Sequence, residues 1–224
     1  MQRQWLDRTG WLSSLLAGLV ITAPAIAHPH VWVEASTQIV FDAAARVTGI
    51  RHTWIFDPAY SAYATMGFDM DRDGNADPDK LAELAESNLA SLAETNYFTA
   101  VKVDGSPAAL APPEDYQASI ASGRLILRFL LPLKTPIQPK ELALHVGDPT
   151  FFTAFTLPQA ADTAMLDGAP EACKASLNRP AESGSEDVKR LAQDISAALR
   201  GELDVPATVD SDPAGRITVI CQQE

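Results

Sequence analysis

Cysteine is nearly missing from this chain, with only Cys173 and Cys221 among 224 residues. So sparse a pair excludes a disulfide-dense scaffold, and it lacks the C-x-x-C spacing of a thiolate metal site or redox motif. In an oxidising compartment it reads as one structural disulfide. That bond would close a loop of about 48 residues and stabilise the fold by about 2–4 kcal/mol. Positive charge is scarce as well, 17 Lys and Arg against 29 Asp and Glu, for a net charge of −12. A chain of that sign repels nucleic acid and anionic lipid and suits cationic ligands. No apolar run reaches the roughly 20 residues that a bilayer-spanning helix needs. H-E-x-x-H, G-x-S-x-G and a phosphate-cradling glycine loop are all absent, so nothing points to an enzyme.

What is present begins at the N-terminus. Arg3 and Arg8 precede an apolar stretch from Trp11 to Ala23, and Ala25 and Ala27 follow at A-x-A spacing. That order reads as a cleavable secretory signal over residues 1–27. At about 13 residues the stretch is too short for an anchor. No two arginines are adjacent, which favours general secretion over twin-arginine export. Cleavage after Ala27 would leave 197 residues in the periplasm, without a stable membrane anchor and beginning at His28. The excised piece holds two arginines and one aspartate, so the remainder is one unit more acidic.

The hydrophobic pattern predicts mostly strands. Residues 31–41 are rich in β-branched and aromatic side chains, and 47–56 form an antiparallel partner across a turn at Asp42–Arg46. A period change follows. Leu81, Leu84, Ala85, Leu89 and Leu92 make one helical stripe, opened by Asp77 as N-cap and Pro78 at the first helical position. Strand signals return at 98–103, 116–121, 124–131, 141–146 and 151–157, with Phe151, Phe152 and Phe155 assigned to the core. A Pro/Gly/Ser-rich passage at 179–185 reads as a linker or long loop. Val188, Leu191, Ile195 and Leu199 then mark a helix, and 216–221 a last strand. The expected fold is α+β and mostly β, an antiparallel β-sandwich-like domain with a helix–loop–helix insertion and a C-terminal helix. The main domain would run from 28 to 178 with its insertion at about 58–96, and 179–224 would be tied back by the disulfide.

Two sets of residues suggest ligands. His28 and His30, two apart in an extended segment, share one face. Imidazoles are good ligands for nickel, copper, zinc and cobalt, and the α-amine of His28 could join its ring. A square-planar copper or nickel site with histidine in third position is excluded, because Pro29 has no N–H to lose. Further ligands must come from elsewhere: His52, His145, Asp57 and Asp148 are candidates. With a plain turn at 42–46, His52 falls opposite about Ser36 and Asp57 falls nearer His30, which favours the aspartate. The second set is the acidic loop. Asp69, Asp71, Asp73, Asn75 and Asp77, with Gly74, follow the front of an EF-hand calcium loop. Lys80 stands where a bidentate Glu belongs. A turn of EF-hand shape that uses Asp77 as a helix cap is therefore favoured over calcium binding.

The landmarks His-Pro-His-Val-Trp-Val at 28–33, Trp54-Ile55-Phe56-Asp57, Phe68 to Gly74, Asn96-Tyr97-Phe98-Thr99, Gly123-Arg124-Leu125 and Asp148 to Phe152 occur together. In this combination the chain resembles a bacterial family of unknown function, labelled the periplasmic component of an uncharacterised ABC-type transport system. The likeness covers about residues 28–180. It implies an accessory role beside an inner-membrane permease of the nickel/cobalt type. The expected function is thus a periplasmic protein that binds a divalent transition metal for such a system, with His28, His30, Asp57 and Asp148 as ligands. A structural docking partner of the permease and a receptor for an organic solute are the alternatives.

Overall fold

The computed structural model describes residues 30–69, 76–150, 152–157, 164–178 and 215–222. The signal segment, His28, three members of the acidic loop (Asp71, Asp73 and Asn75), the 179–185 passage and the 188–199 helix lie outside these residues.

Strand β1 (Val31–Phe41) alternates strictly, with Val31, Val33, Ala35, Thr37, Ile39 and Phe41 facing inward. It pairs antiparallel with β2 (Val47–Phe56) across a turn that Asp42 builds, its Oδ1 accepting from the N–H groups of Ala44 and Arg46. A bulge next to this turn adds one residue, so His52 pairs with Thr37 and not with Ser36. The extra residue arises because Phe41 pairs with Val47 while Val40 already pairs with Gly49. Helix α1 (Pro58–Ala64) follows at once, and α2 (Pro78–Leu92) carries the predicted apolar stripe inward at Ala85 and Leu89. The remaining strands are β3 (Thr99–Val103), β4 (Ser106–Pro107), β5 (Glu114–Ala121), β6 (Arg124–Ile137), β7 (Glu141–Val146), β8 (Thr153–Thr156), β9 (Ala164–Asp167), β10 (Cys173–Asn178) and β11 (Arg216–Cys221).

They form two sheets. One has the order β5-β6-β2-β1-β8, with β9 also on β1, and the other the order β10-β11-β7-β3-β4. The expected α+β, mostly β fold is what forms, with one difference. Both β8 and β9 run parallel to β1, so the first sheet is mixed at that edge. The inner faces share one core, in which Trp54 and Phe129 meet edge-on and Leu127, Leu142, Leu144 and Ile217 are sealed from water. Each such side chain contributes about 1.5–3 kcal/mol of burial. Cys173 and Cys221 pair directly across β10 and β11 as a disulfide.

Between the sheets lies a short stretch of unusual backbone. Asn96, Tyr97 and Phe98 have φ of 53°, 55° and 50°, a left-handed turn without glycine. Such a conformation costs about 1–2 kcal/mol per residue. It is held by Asn96 Nδ2 donating to Thr99 O, Thr99 Oγ1 donating to Tyr97 O and Gly147 N–H donating to Phe98 O. The ring of Phe98 stacks on Trp54 and meets Phe155 edge-on, so core packing offsets the strain.

Candidate functional site

The head of β1 is where the candidate residues converge. His30 immediately precedes the strand and is exposed. Its N–H donates to Phe152 O at 2.9 Å, and Val31 N–H shares that acceptor at 3.3 Å. The His30 ring lies against the Phe152 ring, with centroids 5.0 Å apart and planes tilted by 47°. Trp32, one step along, points outward as well and is 51% exposed, while Phe152 is 48% exposed. Phe152 therefore leaves the core group assigned from sequence. Phe155 is buried and Phe151 lies outside the described residues. The reason is the two-residue period of a strand: residues 152 and 155 cannot share a face.

Two aspartates brace this head from opposite sides. Asp57 precedes Pro58 and caps α1, its Oδ1 accepting from Ala59 N–H at 2.8 Å and Tyr60 N–H at 3.0 Å. Its Oδ2 accepts from Trp32 N–H at 3.0 Å, and its own N–H donates back to Trp32 O. Partial burial pushes the Asp57 carboxyl up, but the N–H donors of Trp32, Tyr60 and Ala59 outweigh it and hold the group below the usual carboxylate range. Asp148 is buried. Its Oδ1 accepts from Thr150 N–H at 2.8 Å and Thr150 Oγ1 at 2.7 Å, and its Oδ2 from Thr153 N–H at 2.9 Å. Thr153 pairs with Val31. The topology thus sets His30, Asp57 and Asp148 around the first two residues of one strand, and both carboxylates spend their oxygens on donors of the protein, backbone N–H groups and the Thr150 hydroxyl.

The other histidines are elsewhere. His52 is fully buried between the sheets, beside Phe129 and Trp54. Thr99 Oγ1 donates to Tyr97 O, so it can only accept from His52 Nε2, 3.3 Å away. The ring proton then sits on Nε2, and Nδ1 accepts from Thr37 Oγ1 at 3.4 Å. Burial pushes this imidazole down to about 3. A neutral ring sealed in this way is a core strut. His145 lies on β7 between Arg216 and Ala100 in the other sheet. Among the described residues, no three His, Cys, Asp or Glu side chains gather closely enough to hold a metal ion.

At the acidic loop, Asp69 is exposed and Asp77 caps α2 by accepting from Asp79 N–H at 2.9 Å. Lys80 turns to Glu83 at 2.9 Å, which raises its pKa through that hydrogen bond and the Glu83 charge. No helix among the described residues is long and apolar enough to cross a membrane. What sequence reasoning passed over is the aromatic pair at the head. The alternation of Val31, Trp32 and Val33 was the available signal for Trp32.

Comparison with known proteins adds a family. A model described as "Protein of unknown function (DUF1007)" matches residues 13–221. An uncharacterised protein of Haemophilus influenzae is 26% identical over 151 residues, covering 64% of this chain and 69% of that protein. An uncharacterised 15.5 kDa protein in the trpE 3′ region of Spirochaeta aurantia is 30% identical over 101 residues, covering 45% of this chain and 72% of that protein.

Proposed function

The chain belongs to the DUF1007 family of proteins of unknown function, and from that premise we propose that it is a periplasmic accessory protein that binds a divalent transition metal for a membrane transport system. His28 and His30 supply the imidazoles, and the His28 α-amine joins them once the segment 1–27 is removed. The observation that carries this reading is the exposed His30 at the head of β1, its ring seated on Phe152. The secretory pattern of residues 1–27 and the Cys173–Cys221 disulfide support an oxidising, extracytoplasmic setting. Asp57 and Asp148 hold the backbone of the strand head next to His30. The partner is an inner-membrane permease of the nickel/cobalt type, on the strength of the family resemblance. The protein performs no catalysis in this role, and calcium at the acidic loop is secondary, since Lys80 stands at its closing position.

The test is calorimetric titration of the exported, processed chain with Zn²⁺, Ni²⁺, Co²⁺ and Cu²⁺, beside the His28→Ala/His30→Ala variant. One-to-one binding with Kd below about 1 μM, lost in the variant, is the expected result. Metal at 100 times its Kd should also raise the unfolding free energy by about 2.7 kcal/mol. Equal binding in both proteins, or none tighter than about 100 μM, favours the second reading, a docking module for the permease. The exposed aromatic side chains Trp32 and Phe152 are the observation behind that alternative.

A further inference from the structure

We propose that Phe152 is the positioning residue for the His30 imidazole, a role that rests on the reading of His30 as a metal ligand. An exposed histidine on a strand end samples about six rotamer combinations, three for χ1 and two for χ2. A metal binds only the one that aims nitrogen at it, so an unconfined ring weakens binding in proportion to the time spent elsewhere. Here the ring is confined on one side by the Phe152 ring, 5.0 Å away.

Phe152 is itself held by the backbone around it. Its carbonyl takes the N–H groups of His30 and Val31, and its own N–H reaches Thr150 Oγ1 at 3.4 Å. That hydroxyl in turn donates to the buried Asp148. The carboxylate therefore acts on the site at one remove, through the turn that carries the phenyl ring. Asp57 acts on the other flank, at Trp32. An aromatic shelf of this kind also keeps water off one side of the imidazole, which strengthens polar interactions made on the other.

The experiment uses the exported chain at one fixed pH and two readouts. The first is the pair of carbon-bound proton resonances of the His30 ring in the metal-free protein. The second is the Kd for Zn²⁺. Phe152→Ala should shift the His30 resonances towards those of a solvent-exposed histidine and raise the Kd by up to about fivefold. Phe152→Tyr should keep both at the wild-type values. Phe152→Leu keeps apolar bulk and loses the flat ring, so it should follow Phe152→Ala and serves should the alanine variant fold poorly. Unmoved resonances in Phe152→Ala, or moved resonances with an unchanged Kd, overturn the positioning role while wild-type binding stands. A wild type that binds no Zn²⁺, Ni²⁺, Co²⁺ or Cu²⁺ removes the metal-binding reading itself, and this role with it.

Discussion

His52 and His30 carry the same side chain on one sheet, and the two regions treat it in opposite ways. On β2 the imidazole is sealed between two threonines and two aromatic rings, where burial favours the neutral form. At the head of β1 it is exposed, with its ring against that of Phe152. The first arrangement spends both ring nitrogens inside the protein and links the sheets. The second presents a polar group on a firm backbone, since Asp57, Asp148 and Phe152 O take up the N–H groups around it. What separates a sealed imidazole from an exposed one here is strand parity and position, not residue type.

Breaking the sealed region should have the largest effect. Trp54 is almost fully buried and meets Phe98, Phe129, Phe155 and His52, so Trp54→Ala should lower stability by about 3–5 kcal/mol in urea unfolding. A loss under 1 kcal/mol would mean that the two sheets do not share this core.

The next effect is a pH dependence. The unfolded His52 takes its proton near 6.5, whereas the folded one resists until about 3. Falling pH therefore favours the unfolded chain, and the His52 contribution is complete above 6.5 and declines below it. At about 1.4 kcal/mol per pH unit, stability at pH 5 should be about 2 kcal/mol lower than at pH 6.5. His52→Leu should flatten that slope, and an unchanged slope would show that the ring titrates alike in both states.

The smallest effect sharpens the other side of the comparison. Asp57→Ala removes a helix cap and the brace on Trp32, and should cost about 1–2 kcal/mol in stability. Its Zn²⁺ Kd should change less than about twofold; a rise of tenfold or more would make Asp57 a ligand.

Much of the local structure was legible. Strands at 31–41 and 47–56 form with those bounds, because β-branched and aromatic residues alternate cleanly there. Asp57 does lie nearer the head of β1 than His52 does. The bulge beside the 42–46 turn was not legible, since it depends on how two strands settle against each other, and it moved the partner of His52 by one residue. Strand β6 runs on to Ile137 through Pro132 and Pro136, past the stop that proline suggests. Strand β10 went unpredicted because Cys173–Asn178, although it alternates apolar and polar residues, contains no β-branched or aromatic side chain, and its pairing with β11 supplies the order.

Composition and pattern alone determined the class of the molecule: an acidic, β-rich chain with one disulfide and a helix capped by Asp77. These are decided by side-chain chemistry within a few residues, where charge, period and turn preference act without knowledge of distant partners. Only the tertiary structure decided that β8 and β9 join β1 in parallel, that His52 is closed in, and that Phe152 comes to lie under His30. Each of those depends on segments separated by tens to more than a hundred residues, and their pairing is chosen by the packing of the whole sheet, a quantity that no local pattern contains.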